Sequence, residues 1–344
     1  MKNMTKKEKD EQLARHLPGL LQYHQLMLTD GVRNQLLFEA IKKHVTDETR
    51  FLDIGAGTGV WAIIAAKLGA KRVVAVEIEE ALIPIIYKHA QENGVADKIE
   101  IIHGNSDDVK IRGKFDVIVS ELFGGDAFGA ATVQSFINVK KRFLSPGGIL
   151  IPQKLKMFAV PAHIEKSTQT IPAALPITCD FLKSVKLNYA LNLDLAARSG
   201  AVHLAEPQEM LELDFATVTT PPAVSGLSGI WQLDDLPAAN AFIIFNQSVF
   251  TEGITMNSLD SQSWGATVYE FQPYAESSGQ IRFQISLDGQ KSNWTVSLPS
   301  SPQLPPRNYA PLFAPTRIRM TQQMTPHRRF KPKTAQGSTE AKKR

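Results

Sequence analysis

The chain has 344 residues, long enough for two domains that each bury a sizeable core, and its 43% hydrophobic and 21% charged composition is ordinary for a globular protein. No run of 18 apolar residues occurs and the polar stretch Met1 to Arg15 has no apolar core behind it, which argues against a membrane span and a secretory signal and for a cytoplasmic setting. The single cysteine, Cys179, excludes an internal disulfide and lies in no metal-ligand spacing, so no metal site is expected. The net charge of +4 is uneven: Thr316 to Arg344 carries nine Lys or Arg against Glu340 alone, leaving a tail of +8 on a body of −4. A mildly acidic body suits a basic substrate better than nucleic acid. The tail reads equally as a docking segment for an anionic partner and as a solvated terminus.

In chain order, Asn34 to Val45 places Leu36, Leu37, Ala40, Ile41 and Val45 on one helical face, a helix ahead of the first strand. Arg50 to Ile54 is a short apolar run, and Gly55, Gly57 and Gly59 follow on alternate positions before the helical pattern of Val60 to Leu68. This reads as strand, tight ligand-binding turn, helix. A second strand, Val73 to Val76, ends at Glu77, where a doubly wound sheet presents a carboxylate to ribose hydroxyls. The dinucleotide fingerprint needs glycine or alanine where this chain has Val60, which disfavours NAD and FAD and favours adenosine without a pyrophosphate.

Asp53, the G-x-G-x-G loop and Glu77 together resemble the cofactor motif of class I S-adenosyl-L-methionine-dependent methyltransferases. Met27-Leu28-x-Asp30-x-Val32-Arg33 is narrower: it resembles the segment that closes over the cofactor in the protein arginine methyltransferase family. The resemblance implies that Arg33 pairs with the cofactor's carboxylate, a task suited to a guanidinium fork.

A helix is expected over Glu79 to Asn93, stopped by Gly94, and a third strand over Ile99 to Ile102. The turn after it contains Ser106 and Asp107, and Asp107 matches the family's acceptor for the adenine amine; a simple turn-capping role explains the aspartate equally well. Phe115 to Ser120 is a fourth, buried strand. Its end, Ser120-Glu121-Leu122-Phe123-Gly124, resembles the family's two-glutamate loop, in which paired carboxylates grip the substrate guanidinium. Glu121 matches the first; the second falls on Ala130, leaving Asp126 as the only nearby substitute. No N-P-P-Y or D-P-P-Y turn, the mark of methyltransferases acting on planar amides or adenine amines, occupies this place.

A helix over Thr132 to Phe143 leads into the turn Leu144-Ser145-Pro146-Gly147-Gly148 and a further strand ending at Pro152. Beyond it, strand-like runs at Met157 to Val160, Glu212 to Val218, Ala241 to Val249, Thr267 to Phe271 and Ile281 to Leu287 predict an antiparallel sandwich or barrel. The segment between Ile164 and Val185 would be a shortened dimerisation arm. Gln262 to Tyr269 resembles the family's Thr-His-Trp loop, keeping Trp264 as a substrate-site aromatic but carrying Ser263 for the histidine that braces that site.

The expected architecture is a doubly wound, Rossmann-like α/β methyltransferase domain followed by an antiparallel β-barrel or sandwich. Its divisions are a charged segment over 1–22, a cofactor domain over 23–152, a β-barrel over 153–315 and a basic tail over 316–344. The implied cofactor is S-adenosyl-L-methionine, held by Arg33, Asp53, Gly55, Gly57, Gly59, Glu77, Ser106 and Asp107. Glu121, helped by Asp126, would orient the acceptor beside Trp264. A protein nitrogen is the first choice of acceptor and a homodimer the expected assembly; a small-molecule acceptor and a catalytically silent cofactor-binding scaffold are the alternatives.

Overall fold

The computed structural model describes residues 6–122, 127–165, 190–193, 200–288, 291–299 and 307–309, all within one compact unit, Met1–Leu312. Helices α1 (Lys6–Thr29) and α2 (Gly31–His44) precede strand β1 (Arg50–Ile54). Then come α3 (Val60–Lys67), β2 (Arg72–Glu77), α4 (Ile83–Glu92), β3 (Ile99–His103), β4 (Phe115–Val119), α5 (Ala130–Phe143) and β5 (Leu144–Ile151). The five strands pair in parallel in the order β3-β2-β1-β4-β5. The chain winds outward from β1 to β3 and then returns to β4 on β1's other side. The loops after β1 and β4 therefore diverge at a switch point, the place where such sheets bind ligands.

The sheet is doubly buried: Phe51, Leu52, Val74, Ala75 and Val119 have no exposed surface, as expected of a parallel sheet covered on both faces. At its opposite edge Arg50 Nε and Nη2 form a forked ion pair with Asp116 at 2.9 and 2.6 Å, locking the starts of β1 and β4 together.

The second half is antiparallel. Strands β6 (Lys154–Ile164), β7 (Ala190–Leu193), β8 (Ala201–His203), β9 (Gln208–Asp214), β10 (Leu227–Leu233), β11 (Ala241–Thr251), β12 (Ile254–Asn257), β13 (Ala266–Glu270), β14 (Gly279–Asp288), β15 (Lys291–Ser297) and β16 (Arg307–Tyr309) form two sheets. One has the order β10-β14-β15-β16; the other is built on β7-β13-β11-β6-β8, with β12 on β11 and β9 on β6. Aromatic rings fill the space between them. Phe242 on β11 stacks on Phe283 of β14 at 4.7 Å and leans on Trp231 of β10 at 5.1 Å, and Tyr269 packs edge-on against Trp294 at 5.3 Å. The doubly wound domain followed by an antiparallel one is the architecture the sequence predicts.

Local differences have physical causes. Helix α4 begins only at Ile83, after a 3-10 turn at Glu80–Leu82, because Pro84 belongs in a first turn, where its missing N–H costs nothing. Strand β9 stops at Asp214, whose side chain accepts from Ala216 N at 2.8 Å and turns the chain before Val218. The start of β5 is irregular, with Gly147 at φ +73° displacing its register on β4. The 24-residue helix α1 had no counterpart in the sequence reading; Leu17, Leu20 and Met27 are half-buried on one face, while Leu21, Tyr23, Leu26 and Leu28 stay exposed. The segment expected to be a dimerisation arm and the basic tail lie outside the described residues.

Helices α2 and α5 each anchor the α/β half to the antiparallel half. The α2 side chains Lys43 and His44 bond to Glu252 O at 2.9 Å and Thr251 Oγ1 at 2.8 Å, and Lys140 Nζ of α5 donates to the carbonyls of Phe215, Ala216 and Val218 at 2.8, 3.2 and 2.6 Å. Because Phe242 is fully buried among three aromatic partners, Phe242→Ala is expected to lower the unfolding free energy by about 3–5 kcal/mol. Urea denaturation measures this, and a loss near zero would mean that the inter-sheet stack is not the core of the β half.

Candidate active site

The glycine loop leaves β1 in the left-handed region, with φ of +71°, +57° and +84° at Gly55, Gly57 and Gly59. Its start is pinned to β2, since Gly55 N and Ala56 N both donate to Val76 O, at 2.9 and 3.0 Å. A Cβ on Gly59 would sit 2.7 Å from Ile86 Cγ2, so this glycine lets α4 close on the loop. One on Gly57 would meet His24 Cε1 at 2.7 Å, so α1 lies directly over the loop there. His89 of α4 hydrogen bonds to Thr58 O at 3.0 Å and steadies the far side.

Glu77, 5% exposed, ends β2 beneath this loop. Its Oε2 accepts from Gly57 N at 2.6 Å and its Oε1 from Glu79 N at 2.8 Å. A carboxylate has about four acceptor positions, so two bonds leave capacity for a ligand's hydroxyls. Asp53, 1% exposed, accepts from Ala62 N at 3.0 Å and thereby caps α3 from the strand. Burial pushes the Asp53 carboxyl up to about 7; the Ala62 N–H offsets part of this, and Glu77 and Glu121 add to the rise.

Arg33 and Glu121 are brought together. Their side chains are 6% and 7% exposed and form a direct ion pair between Nη2 and Oε2. Arg33 Nη1 donates to Asn34 Oδ1 at 2.7 Å, and its guanidinium lies 5.7 Å from the Trp61 ring centroid. Trp264 donates a hydrogen bond to Glu121. Burial raises the Glu121 carboxyl, while the Arg33 charge and the two donors pull it part of the way back. Arg33 Nε and Ser120 Oγ are both buried without a hydrogen-bond partner. Each such group costs about 1–3 kcal/mol until something bonds to it, which makes this corner ready for a polar ligand.

Trp264 is also a packed ring, 3% exposed and edge-on to Phe250 at 6.5 Å. Its loop is anchored by Asp30, a residue of the Met27–Arg33 match to which the sequence assigned no separate role. Asp30 caps α2 through Arg33 N at 3.2 Å and accepts from Ser261 Oγ, Ser263 N and Ser263 Oγ at 2.5, 2.9 and 2.7 Å. Burial alone would raise its carboxyl, but these donors outweigh it and hold it below the usual range. A D-x-x-R pair spanning one helical turn was the signal available for this residue. His24 was equally unmarked, since a lone histidine in a helical stretch carries no pattern. Burial lowers its pKa, with Arg33 adding to the fall and Glu77 opposing it.

Ser106 and Asp107 follow β3 on a loop gripped by α5, with Asp107 exposed. Ala130 is the first residue of α5, after Gly129, and is exposed. Asp126 lies outside the described residues.

The family model for ribosomal protein L11 methyltransferase (PrmA) matches residues 34–152. A probable protein arginine N-methyltransferase 6 of Arabidopsis thaliana is 32% identical over 151 residues, 43% of this chain and 34% of that protein. The ribosomal protein arginine N-methyltransferase rmt3 of Schizosaccharomyces pombe is 36% identical over 137 residues, 39% of this chain and 25% of that protein. The chain thus spans about a third or less of the length of these curated relatives. A chain of the Trypanosoma brucei PRMT1 enzyme-prozyme heterotetrameric complex with AdoHcy superposes with a TM-score of 0.69 at 20% identity, covering 83% of this chain and 95% of that one. Arabidopsis thaliana protein arginine methyltransferase 10 gives 0.65 at 19% identity, covering 84% and 98%. The family-model match lies in the α/β half, while the structural likeness covers more than four fifths of the chain. The chain is therefore similar to arginine methyltransferases in sequence and has their two-part fold.

The dry setting of Asp53 has a testable sign. Between about pH 4 and pH 7 the folded protein keeps a proton that the unfolded chain has released, so this group's stabilisation is complete at low pH and is lost as pH rises through 7. Asp53→Asn removes the titration, so its stability relative to wild type should climb over that window by up to about 4 kcal/mol and then level off. Urea denaturation at stepped pH reads the difference; parallel curves would show that Asp53 does not titrate there.

Proposed function

We propose that the chain is an S-adenosyl-L-methionine-dependent methyltransferase that methylates a nitrogen of a protein, in the manner of the arginine methyltransferases it resembles. The observation that carries this reading is the buried Arg33–Glu121 pair beside the glycine loop, with Arg33 Nε still unpartnered. The cofactor fits the groups present. Arg33 offers a buried donor to its carboxylate, Glu77 keeps acceptor capacity for ribose hydroxyls, and Asp107 offers an exposed carboxylate for the adenine amine on the loop it shares with Ser106. Gly57 donates its N–H to Glu77 and lets His24 lie close over the loop, with Gly55 and Gly59 completing the turn and Asp53 fixing the start of α3.

When bound, the cofactor supplies an electrophilic methyl group on a sulfonium. Glu121 orients the acceptor nitrogen, itself held by Arg33 and Trp264, and alignment is the main source of rate. A guanidinium stays protonated at neutral pH, so a carboxylate beside it must localise its charge before one nitrogen can attack. Here one carboxylate is available and Ala130 stands where the family has the second, with Asp126 as the proposed helper. The acidic body suits a basic protein acceptor, and the likeness to a chain from a heterotetrameric complex supports oligomerisation, for which a homodimer is the proposed form. A cytoplasmic setting and an anionic partner for the tail complete the proposal; among the described residues no helix is long and apolar enough to cross a membrane.

Ala130, in the place of the second carboxylate, favours a second reading, a catalytically silent cofactor-binding scaffold. Titration calorimetry tests what the two share: wild type should bind S-adenosyl-L-methionine and Glu77→Ala should bind it at least about tenfold more weakly, the loss of a charged hydrogen-bond acceptor. Absence of binding by wild type would sink both. Labelled-methyl transfer to a lysate then separates them, with label expected in protein; label only in small molecules would redirect the acceptor, and no transfer would favour the scaffold. Ala130→Glu restores a carboxylate at a helix start, where negative charge is favoured. It should raise labelling of arginine-containing peptides by about tenfold or more, as expected for a restored orienting charge. Unchanged labelling would remove arginine as the acceptor.

A further inference from the structure

Helix α5 turns two different faces to the protein. Val133, Phe136, Ile137 and Phe143 are buried in the core, whereas Ser135, Asn138 and Arg142 recur at i, i+3 and i+7 on one line of the helix surface. All three side chains on that line bond to the loop after β3. Ser135 Oγ lies 3.1 Å from Ser106 Oγ, and Asn138 Nδ2 donates to Asp107 Oδ1 at 3.0 Å. Arg142 Nη1 donates to Ser106 O and Asp107 O, both at 2.6 Å, and Nη2 donates to Val109 O. The guanidinium is itself seated 4.6 Å from the Phe143 ring centroid.

The loop needs such support. Between β3 and β4 the chain runs through residues 104–114 without a helix. Its internal order comes from Asn105, whose side chain accepts from Asp107 N at 2.9 Å and whose carbonyl accepts from Asp108 N and Val109 N at 2.9 and 3.0 Å. The helical line supplies what a β3–β4 helix would otherwise give, a fixed height and direction for Asp107. Because Asn138 takes Oδ1, and Oδ2 has no protein partner among the described residues, the carboxylate presents one oxygen of defined direction.

We propose that Ser135, Asn138 and Arg142 are positioning residues that aim the Asp107 carboxylate at the 6-amino group of the cofactor's purine, and so set the preference for adenine over 6-oxopurines. The inference rests on the cofactor reading above and adds the device that makes base recognition sharp. An amino group donates to a fixed carboxylate. A 6-oxo group faces it with a second acceptor, and the mismatch is costly only if the carboxylate cannot turn away.

The test is calorimetric and independent of turnover: affinities for S-adenosylhomocysteine and S-inosylhomocysteine, compared in wild type, Asn138→Ala, Arg142→Ala and Arg142→Lys. Wild type should prefer the adenosyl ligand by at least about tenfold, the scale of a hydrogen bond to a charged group. Asn138→Ala and Arg142→Ala should lose most of that preference. Arg142→Lys, which keeps the charge but not the fork that reaches three carbonyls, should fall between and guards against loss of fold. Variants that bind both ligands more weakly with the wild-type preference kept would overturn the positioning role while leaving the cofactor reading intact. Failure of wild type to bind the adenosyl ligand would remove both.

Discussion

The site depends on one buried ion pair. Arg33 and Glu121 come from α2 and from the end of β4, 88 residues apart, and both are nearly sealed from solvent. Such a pair is stable only when other hydrogen bonds satisfy what the partners leave over, because the desolvation of two charges rivals their attraction. Asn34 and Trp264 supply those bonds, and Asp30 fixes both the start of the Arg33 helix and the loop that carries Trp264. Three segments from different parts of the chain are thus held at one point. One donor, Arg33 Nε, is left over, and an unmet buried donor of this kind is the clearest sign of a ligand position.

Four carboxylates surround that point, and the structure treats them differently. Asp30 is saturated by donors and kept ionised. Glu77 accepts two backbone N–H groups and shapes the glycine loop. Asp53 has one donor in a dry place and takes up a proton near neutral pH. Glu121 alone is balanced by a full positive charge. The arrangement suits a ligand bearing both a carboxylate and positive charge, since Arg33 can meet the first and the surrounding acids the second.

The α/β half was legible because its signals are local. The apolar runs, alternate glycines and a terminal acid fix strand, turn and helix within about 30 residues, and the structure brings the loop and Glu77 into direct hydrogen bonding. What escaped were residues whose role comes from distant partners. Helix α1 mixes half-buried Leu17, Leu20 and Met27 with exposed Leu21, Tyr23, Leu26 and Leu28, which blurs its periodicity, although its His24 covers Gly57. Asp30 reads locally as a helix cap and only the fold shows it reaching Ser261 and Ser263, 231 and 233 residues away. The α5 line of Ser135, Asn138 and Arg142 looks like an ordinary solvated face until the loop after β3 is placed against it.

Two of the departures from the arginine methyltransferase pattern, Ser263 and Ala130, are not equal. Ser263 replaces a histidine whose task in that family is bracing, and the bracing survives: Ser263 and Ser261 both bond to Asp30, and Trp264 N donates to Ser261 Oγ at 2.8 Å. Two short hydroxyls close to the backbone do with several bonds what one ring would do with fewer, and Trp264 still reaches Glu121. Ala130 is a different loss. It removes a charge rather than a support, and no bond made by a neighbouring side chain can return charge to that position. Set beside the arginine methyltransferase pattern, the framework that holds the first carboxylate is kept, and Ala130 puts no charge at the place of the second.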